Sequence, residues 1–252
     1  MKISTYNING ARASNKLGIV EWINQSDIDI FCVQEIRANK EICEEIFQSC
    51  DYYKYINPAI RPGYAGTMVL SKLKPNKCEF GMNDDDTEGR TITLYFDDFV
   101  LVNSYIPNGS SRLDFKLQFV EKLIQYVGKL SKLKPVILCA DMNTAQTELD
   151  LTNPKQCAKV SGFLDIEREL QKTIFQYDMV DALREKHRDD LLITWRSYKS
   201  RQIGGDYGWK FRFDYIYCSK SISEFLKSAE VLDLEYSDHL PIVIEWRDNN
   251  EN

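Results

Sequence analysis

The sequence predicts an α/β protein of the α+β kind, with stacked sheets inside and helices outside. Three observations point there. Short strand-length apolar runs dominate the chain, and amphipathic helical stretches fall between them. No repeat of solenoid period, low-complexity tract or linker rich in Gly, Ser or Pro divides it. With 252 residues the chain can bury a sizeable core, and a single domain over residues 1–252 is the simplest reading.

Residues 2–8 alternate as a strand that stops at Asn7-Ile8-Asn9-Gly10. Residues 17–25 read as a helix, with Ile19, Val20, Trp22 and Ile23 on or near one face. Residues 28–33 form an apolar strand followed at once by Gln34-Glu35, and 67–70 form another after the turn Gly63-Tyr64-Ala65-Gly66. Residues 90–96 and 99–105 pair as a hairpin around Asp97-Asp98 and end at Tyr105-Ile106-Pro107-Asn108-Gly109. The clearest helix is 113–130, where Phe115, Phe119, Val120, Leu123, Ile124 and Val127 keep helical spacing. A buried strand at 136–140 ends at Asp141-Met142-Asn143, and 163–177 reads as a second long helix. Strands at 211–218, 231–234 and 240–246 complete the chain.

One pattern recurs. An apolar strand ends and an amide or carboxylate follows: Asn7 and Asn9, Glu35, Asp141 and Asn143, then Asp238 and His239, with Asp214 inside 211–218. Asn and Asp favour turns, so any single case has that plain explanation. Glu does not, yet Glu35 directly follows Phe31-Cys32-Val33-Gln34. Strand ends on one edge of a layered sheet would bring these groups together. Carboxylates with side-chain amides make a hard oxygen site, suited to Mg²⁺ or Mn²⁺ rather than zinc. Of the two histidines, His187 sits in the charged run Arg184-Glu185-Lys186-His187-Arg188 and reads as solvated. His239 sits between Asp238 and an apolar strand, where a carboxylate can hold and charge it.

Bulk properties exclude several classes. The longest apolar runs are a few residues, against the ~20 that a membrane span needs. The N-terminus enters a strand pattern at once, leaving no room for a signal peptide. Seven cysteines, an odd number with no CxxC, fit a reducing compartment, and two histidines without paired thiols argue against zinc. A net charge of −6 counts against a non-specific nucleic-acid coat protein.

In this order the motifs resemble those of the exonuclease III family of abasic-site endonucleases, within the DNase I-like endonuclease/exonuclease/phosphatase fold. The broad marks are Asn7-Ile8-Asn9-Gly10, Gln34-Glu35, Gly63-Tyr64-Ala65-Gly66, Asp141-Met142-Asn143 and Ser237-Asp238-His239. Narrower marks are Thr87-Glu88-Gly89-Arg90, the tyrosine loop at Tyr105, and Glu148-Leu149-Asp150-Leu151-Thr152-Asn153-Pro154-Lys155 followed by Ser161-Gly162-Phe163 and Glu167-Arg168. The resemblance covers essentially the whole chain.

The resemblance implies a four-layer α/β/β/α sandwich and a Mg²⁺-dependent phosphodiesterase, with Mn²⁺ as a substitute. Its substrate would be double-stranded DNA bearing abasic sites or 3′-blocked ends, cut 5′ to the lesion to leave a 3′-hydroxyl. It further implies 3′→5′ exonuclease and 3′-phosphatase side activities, and a monomer. The lack of a basic N-terminal extension favours a prokaryotic-type cytoplasmic enzyme. Glu35 takes the role of principal metal ligand, with Asn9 or Asp238 acting through water; Asn7, Asp141 and Asn143 complete the set around metal and phosphate. Asp214 pairs with His239, which contacts a phosphate oxygen, and Tyr105 supports the phosphate or leaving group. Either Asp141 or the Asp214–His239 pair serves as general base.

The same resemblance places the lesion pocket at Asn108, Trp195, Phe211 and Phe213, a base-free sugar being cheap to flip out. Core packing is the competing reading for Phe213. Lys199, Arg201, Lys210 and Arg212 lie beside this wall as phosphate contacts, although a charge cluster is often only a solvated face. Compared with the family, the stretch 198–212 runs about two residues longer and the loop after Asn108 is short. The competing functions are a same-fold phosphodiesterase acting on RNA, a lipid headgroup or an inositol phosphate, and a catalytically dead DNA-binding protein.

Overall fold

The central strands of each sheet are buried on both faces, because each sheet has a neighbour on either side. The structure, a computed structural model, describes residues 1–83, 85–197 and 208–247. One six-stranded sheet runs β13 (Leu226–Val231), β14 (Ile242–Trp246), β1 (Lys2–Asn7), β2 (Ile30–Gln34), β4 (Thr67–Ser71), β3 (Tyr53–Asn57). The other runs β5 (Lys77–Phe80), β6 (Thr91–Tyr95), β7 (Val100–Tyr105), β8 (Val136–Asp141), β12 (Asp214–Ser219), β9 (Met179–Asp181). Each sheet holds one parallel pair, β1 with β2 and β7 with β8; its other pairs are antiparallel. A short ribbon, β10 (Trp195–Arg196) with β11 (Lys210–Phe211), stands apart from both.

Three packed cores set the layers. Ile3, Ile30, Cys32 and Val69 of the first sheet meet Ile92, Leu101, Ile137, Cys139 and Ile216 of the second. On the outer face of the first sheet, α1 (Ala11–Lys16), α2 (Ile19–Gln25) and α3 (Lys40–Ile46) cover Tyr6, Phe31, Val33 and Met68. On the outer face of the second, α4 (Leu113–Ser131) sets Val120, Leu123, Ile124 and Val127 on Val102, Leu138, Ala140 and Tyr215. The result is the α/β/β/α order. No helix among the described residues is long and apolar enough to cross a membrane.

Several boundaries differ from the periodicity, each for a local reason. The helix expected at 17–25 begins at Ile19, because Gly18 takes a left-handed turn at φ 100° and separates α1 from α2. The long helix expected at 163–177 follows a one-turn helix, α5 (Pro154–Cys157), and breaks into α6 (Asp165–Lys172) and a 3₁₀ turn, Thr173–Tyr177. The Thr173 hydroxyl donates to the Leu170 carbonyl, a bond that competes with the helical ladder. The tighter turn brings Tyr177 onto α4 at Gly128, where a Cβ would stand 2.4 Å from the tyrosine ring. The strand expected at 211–218 is two elements. Arg212 bonds backbone to Asp150, and the Phe213 and Asp214 amides share the Thr194 hydroxyl, so the chain crosses from the ribbon to the second sheet.

A polar bridge runs through the apolar interior between the sheets. Asn103 on β7 donates to the carbonyls of Val33 and Met68 on the facing sheet, both at 3.0 Å. Gln34 donates back to Asn103 Oδ1 at 2.7 Å and to Thr5 Oγ1 at 2.8 Å. These directional bonds hold one sheet in register over the other, which apolar contact alone does loosely. Asn103→Leu is expected to lower the unfolding free energy by about 2–3 kcal/mol, because it leaves buried polar groups without partners. Urea unfolding checks this; a change under about 0.5 kcal/mol, typical of a surface substitution, would mean that the bridge holds nothing.

Candidate active site

The register of the strands brings their polar ends together. Parallel pairing sets Asn7 opposite Gln34, so Glu35 emerges beside it. Antiparallel pairing sets Asp141 opposite Asp214. The two pairs sit on different sheets, and the Asn7 amide joins a carboxylate of one to a carboxylate of the other. Asn7 Nδ2 donates to Glu35 Oε2 at 2.9 Å and to Asp141 Oδ2 at 2.8 Å. The Asn7 oxygen accepts the Asn9 amide, and Asn9 Nδ2 donates to Asp238 Oδ1 at 2.9 Å. Asn143 turns back on its own strand end: its amide N–H donates to Asp141 Oδ1 at 2.9 Å and its carboxamide to the Ile106 carbonyl. Asn108 donates to Asn143 Oδ1 at 3.4 Å, at the edge of bonding distance.

These turns are strained. Asn9, Glu35, Arg37 and Asn143 all take positive φ, between 47° and 60°. Asn tolerates that region, but Glu and Arg visit it rarely, and such outliers collect at functional sites. The turn at Glu35 lays Arg37 on its carboxylate: Nε donates to Oε1 at 2.9 Å and Nη2 pairs with the same oxygen.

On the other side, buried His239 donates from Nδ1 to Asp214 Oδ2 at 2.8 Å, with Nε2 turned to Asp141 Oδ2 at 4.0 Å. Burial opposes the charged ring, but the charge and hydrogen bond of Asp214, with Asp141 and Asp238 adding, push its pKa up to about 10. Burial pushes Asp141 up to about 7; the positive His239 opposes this and the Asp214 charge adds to it. Burial also works to raise Asp238, but the His239 charge and the bonds from Trp195 and Asn9 outweigh it and leave the group below its ordinary value. Tyr105 is driven well above its ordinary range by burial and by the Glu35 and Asp141 charges, so it stays a neutral hydroxyl. Arg90 fixes it, bonding its carbonyl at 2.8 Å and lying 4.8 Å over its ring.

Two groupings suggest themselves for a cation. Asp141, Asp214 and His239 offer atoms within 4.8 Å of one another. A protonated imidazole has no lone pair to give, so that trio is better described as an ion-paired cluster. The second is looser: Glu35, Asp141 and Asp238, with Asn7, Asn9 and Asn143, line one cavity and carry oxygens of the type that a hard divalent ion takes, but these carboxylates do not gather as closely as the first trio.

All these groups except Asp214, which is fully buried behind His239, line one cavity of about 460 Å³. Its wall is aromatic: Trp195, Phe211 and Phe213 pack with centroids 5.3 Å (Trp195–Phe213) and 4.8 Å (Phe211–Phe213) apart. Trp195 Nε1 donates to Asp238 Oδ2 at 3.1 Å, tying wall to floor. Phe211 and Phe213 also belong to a small core with Leu151, Cys157 and Phe163, so they line and pack at once.

Arg212 needs correction as a phosphate contact. It is 1% exposed and lies away from the cavity, paired with Asp150 at 2.8 Å and Asp181 at 2.7 Å, over the Tyr215 ring. Alternation explains this: with Phe211 and Phe213 toward the cavity, the residue between points the other way. Lys199 and Arg201 lie outside the described residues, and Lys210 is half-buried on the ribbon. His187 is pinned rather than solvated, to Asp190 at 2.9 Å and to the Ala229 carbonyl at 2.8 Å. Lining residues not foreseen as site residues include Arg37, Tyr64, Arg90, Arg112 and Trp209. Tyr64 and Arg90 lie in motifs already noted; Arg37, two residues past Glu35, carried no separate signal.

Comparison with known proteins gives the chain a family. Residues 4–239 match the model of the Endonuclease/Exonuclease/phosphatase family. The exodeoxyribonuclease of Bacillus subtilis (strain 168) is 36% identical over 250 residues, covering 96% of this chain and 98% of the relative. The DNA repair nuclease APEX1 of Danio rerio is 34% identical over 254 residues, covering 97% of this chain and 81% of the relative. The structure of an AP endonuclease from Archaeoglobus fulgidus superimposes with a TM-score of 0.87 at 26% identity, covering 98% of this chain and 99% of that one.

The two imidazoles allow a direct electrostatic check by NMR. A folded pKa of about 10 against the ordinary 6.5 means that the His239 contribution to stability is complete below pH 6.5 and is lost as pH rises through about 10. Asp141 runs the same way over a lower window: its pKa is raised from 3.8 to about 7, so the folded chain loses stability as pH rises from about 3.8 through about 7. Asp214→Asn is expected to move the His239 titration down by about one to three pH units. An unmoved titration would contradict the pairing.

Proposed function

The chain belongs to the endonuclease/exonuclease/phosphatase family, and on that premise we propose that it is a Mg²⁺-dependent DNA repair phosphodiesterase that cuts the backbone 5′ to abasic sites. It leaves a 3′-hydroxyl, and it also acts as a 3′→5′ exonuclease and a 3′-phosphatase. The observation that carries this reading is the bond from Asn7 to Glu35 and Asp141, beside the His239–Asp214 pair, at the floor of a cavity with an aromatic wall. The identity with nucleases over nearly the whole chain supports the reaction class. We take residues 1–252 as a single catalytic domain, acting as a monomer in a prokaryotic-type cytoplasm on double-stranded DNA with abasic sites or 3′-blocked ends.

The placement of the residues supports the following roles. Glu35, with Asn9 or Asp238 helping, would hold the metal, with Mn²⁺ able to substitute for Mg²⁺, and the bound ion would stabilise charge on the phosphoryl and leaving oxygens. His239, kept protonated by Asp214, donates to a non-bridging phosphate oxygen. Because that charge is held firmly, His239 is a poor base. Asp141, with its affinity for protons raised toward neutrality, is the better acceptor for the proton of the attacking water. Water attacks phosphorus, the bond to the upstream 3′-oxygen breaks, and that oxygen leaves toward the neutral Tyr105 hydroxyl. Asn7 and Asn143 orient the phosphate, Asn108 sits beside Asn143, and Trp195, Phe211 and Phe213 receive the base-free sugar.

The test offers abasic duplex, intact duplex, RNA and sphingomyelin side by side, each with Mg²⁺ and with EDTA. The expected result is a cut 5′ to the abasic site, extendable by a polymerase and abolished by EDTA. Glu35→Ala and His239→Ala are each expected to slow incision by on the order of 10²–10⁴. Preference for RNA or lipid, or incision that persists in EDTA, would overturn the reading.

A further inference from the structure

A second charged pair lies outside the cavity lining and reaches the site only through backbone and loop contacts. Lys116 on α4 and Glu167 on α6 form an ion pair at 2.6 Å, with side chains 1% and 0% exposed. Lys116 Nζ also donates to the backbone carbonyl of Asn143 at 2.7 Å. Glu167 Oε2 accepts the amides of Gly162 at 2.7 Å and Leu164 at 3.1 Å, and Oε1 accepts the Ser161 hydroxyl at 3.1 Å. The loop after Asn108 closes over the same pair: a Cβ on Gly109 would stand 2.5 Å from Ser161 Oγ and 2.9 Å from Glu167 Oε1. Three loops that form the cavity, carrying Asn108, Asn143 and Ser161, therefore meet on one buried hub.

Stability alone accounts for this poorly. A buried ion pair returns little net stability, and well-packed apolar residues often serve as well or better. Burial pulls the Lys116 pKa down, and the Glu167 charge offsets that in part. What an apolar pair does not supply is a donor for the Asn143 carbonyl and an acceptor for the Gly162 and Leu164 amides.

We propose that Lys116 and Glu167 are positioning residues that set the Asn143 carboxamide, with Asn108 beside it, in register with Asp141 at the substrate phosphate. This rests on the phosphodiesterase reading of the site. A displacement of about 1 Å at such a group costs on the order of 10² in rate.

The full chain is compared with Lys116→Met, Glu167→Gln and the Lys116→Met/Glu167→Leu double variant. For each single variant, kcat on abasic duplex is expected to fall about 10- to 100-fold while KM stays within about threefold. The double variant is expected to recover Tm but not kcat. Hydrogen exchange without substrate is expected to quicken at Asn143, Gly162 and Leu164, and not in the first sheet. Glu167→Gln keeps the shape of the site, so it answers the question even if Lys116→Met does not fold. Recovery of kcat together with Tm in the double variant, or exchange that quickens evenly through the chain, would overturn the proposal. Wild-type chain inert on abasic DNA would remove the nuclease reading, and the exchange comparison would still decide the role of the pair.

Discussion

Asn7 is the point on which the site depends. Its single side-chain nitrogen donates to one carboxylate from each sheet, so the two halves of the cluster are spaced by two hydrogen bonds rather than by packing. Asn7 can do this only because three registers agree. β1 and β2 run parallel and end together, β8 and β12 set Asp141 across from Asp214, and the Asn103–Gln34–Thr5 bridge keeps one sheet from sliding over the other. A shift of one residue in any of them would move a carboxylate by about 3.3 Å and turn its side chain to the opposite face.

Placing several carboxylates in one cavity carries an electrostatic cost, and the structure meets it locally. His239 answers Asp214, Arg37 answers Glu35, and Trp195 and Asn9 answer Asp238. The remaining tension falls on Asp141, whose carboxyl is the one pushed toward neutrality. Such a division separates a charged donor from a proton acceptor within a few ångströms, an arrangement suited to acid–base work near neutral pH. The overall charge of −6 says nothing of this, since it averages over a surface that takes no part.

Much of the architecture was legible in the sequence because periodicity is a local property. The strands ending at Asn7, Gln34 and Asp141 and the helix α4 were readable from spacing, and the polar residue after each strand marked the site's edge. Legibility failed where tertiary contacts override local preference. The helix after Phe163 breaks to seat Tyr177 on Gly128, and the strand before Asp214 is split by bonds to Asp150 and Thr194. Arg212 looked like a DNA contact because it is basic and beside the pocket in sequence; alternation sends it into a buried pair with Asp150 and Asp181. Arg37 and the Lys116–Glu167 pair were invisible for a different reason. Their partners are set by left-handed turns and by the meeting of two helices, neither of which leaves a periodic trace.

If one amide couples the two sheets chemically, its removal should damage the reaction far more than it damages DNA binding. Single-turnover incision of an abasic duplex by Asn7→Ala, with DNA affinity measured in parallel by anisotropy, asks this directly. The account predicts a loss on the order of 10² or more in the rate of the chemical step, with affinity changed by less than about tenfold. An Asn7→Ala chain that binds and cuts at close to the wild-type rate would contradict it.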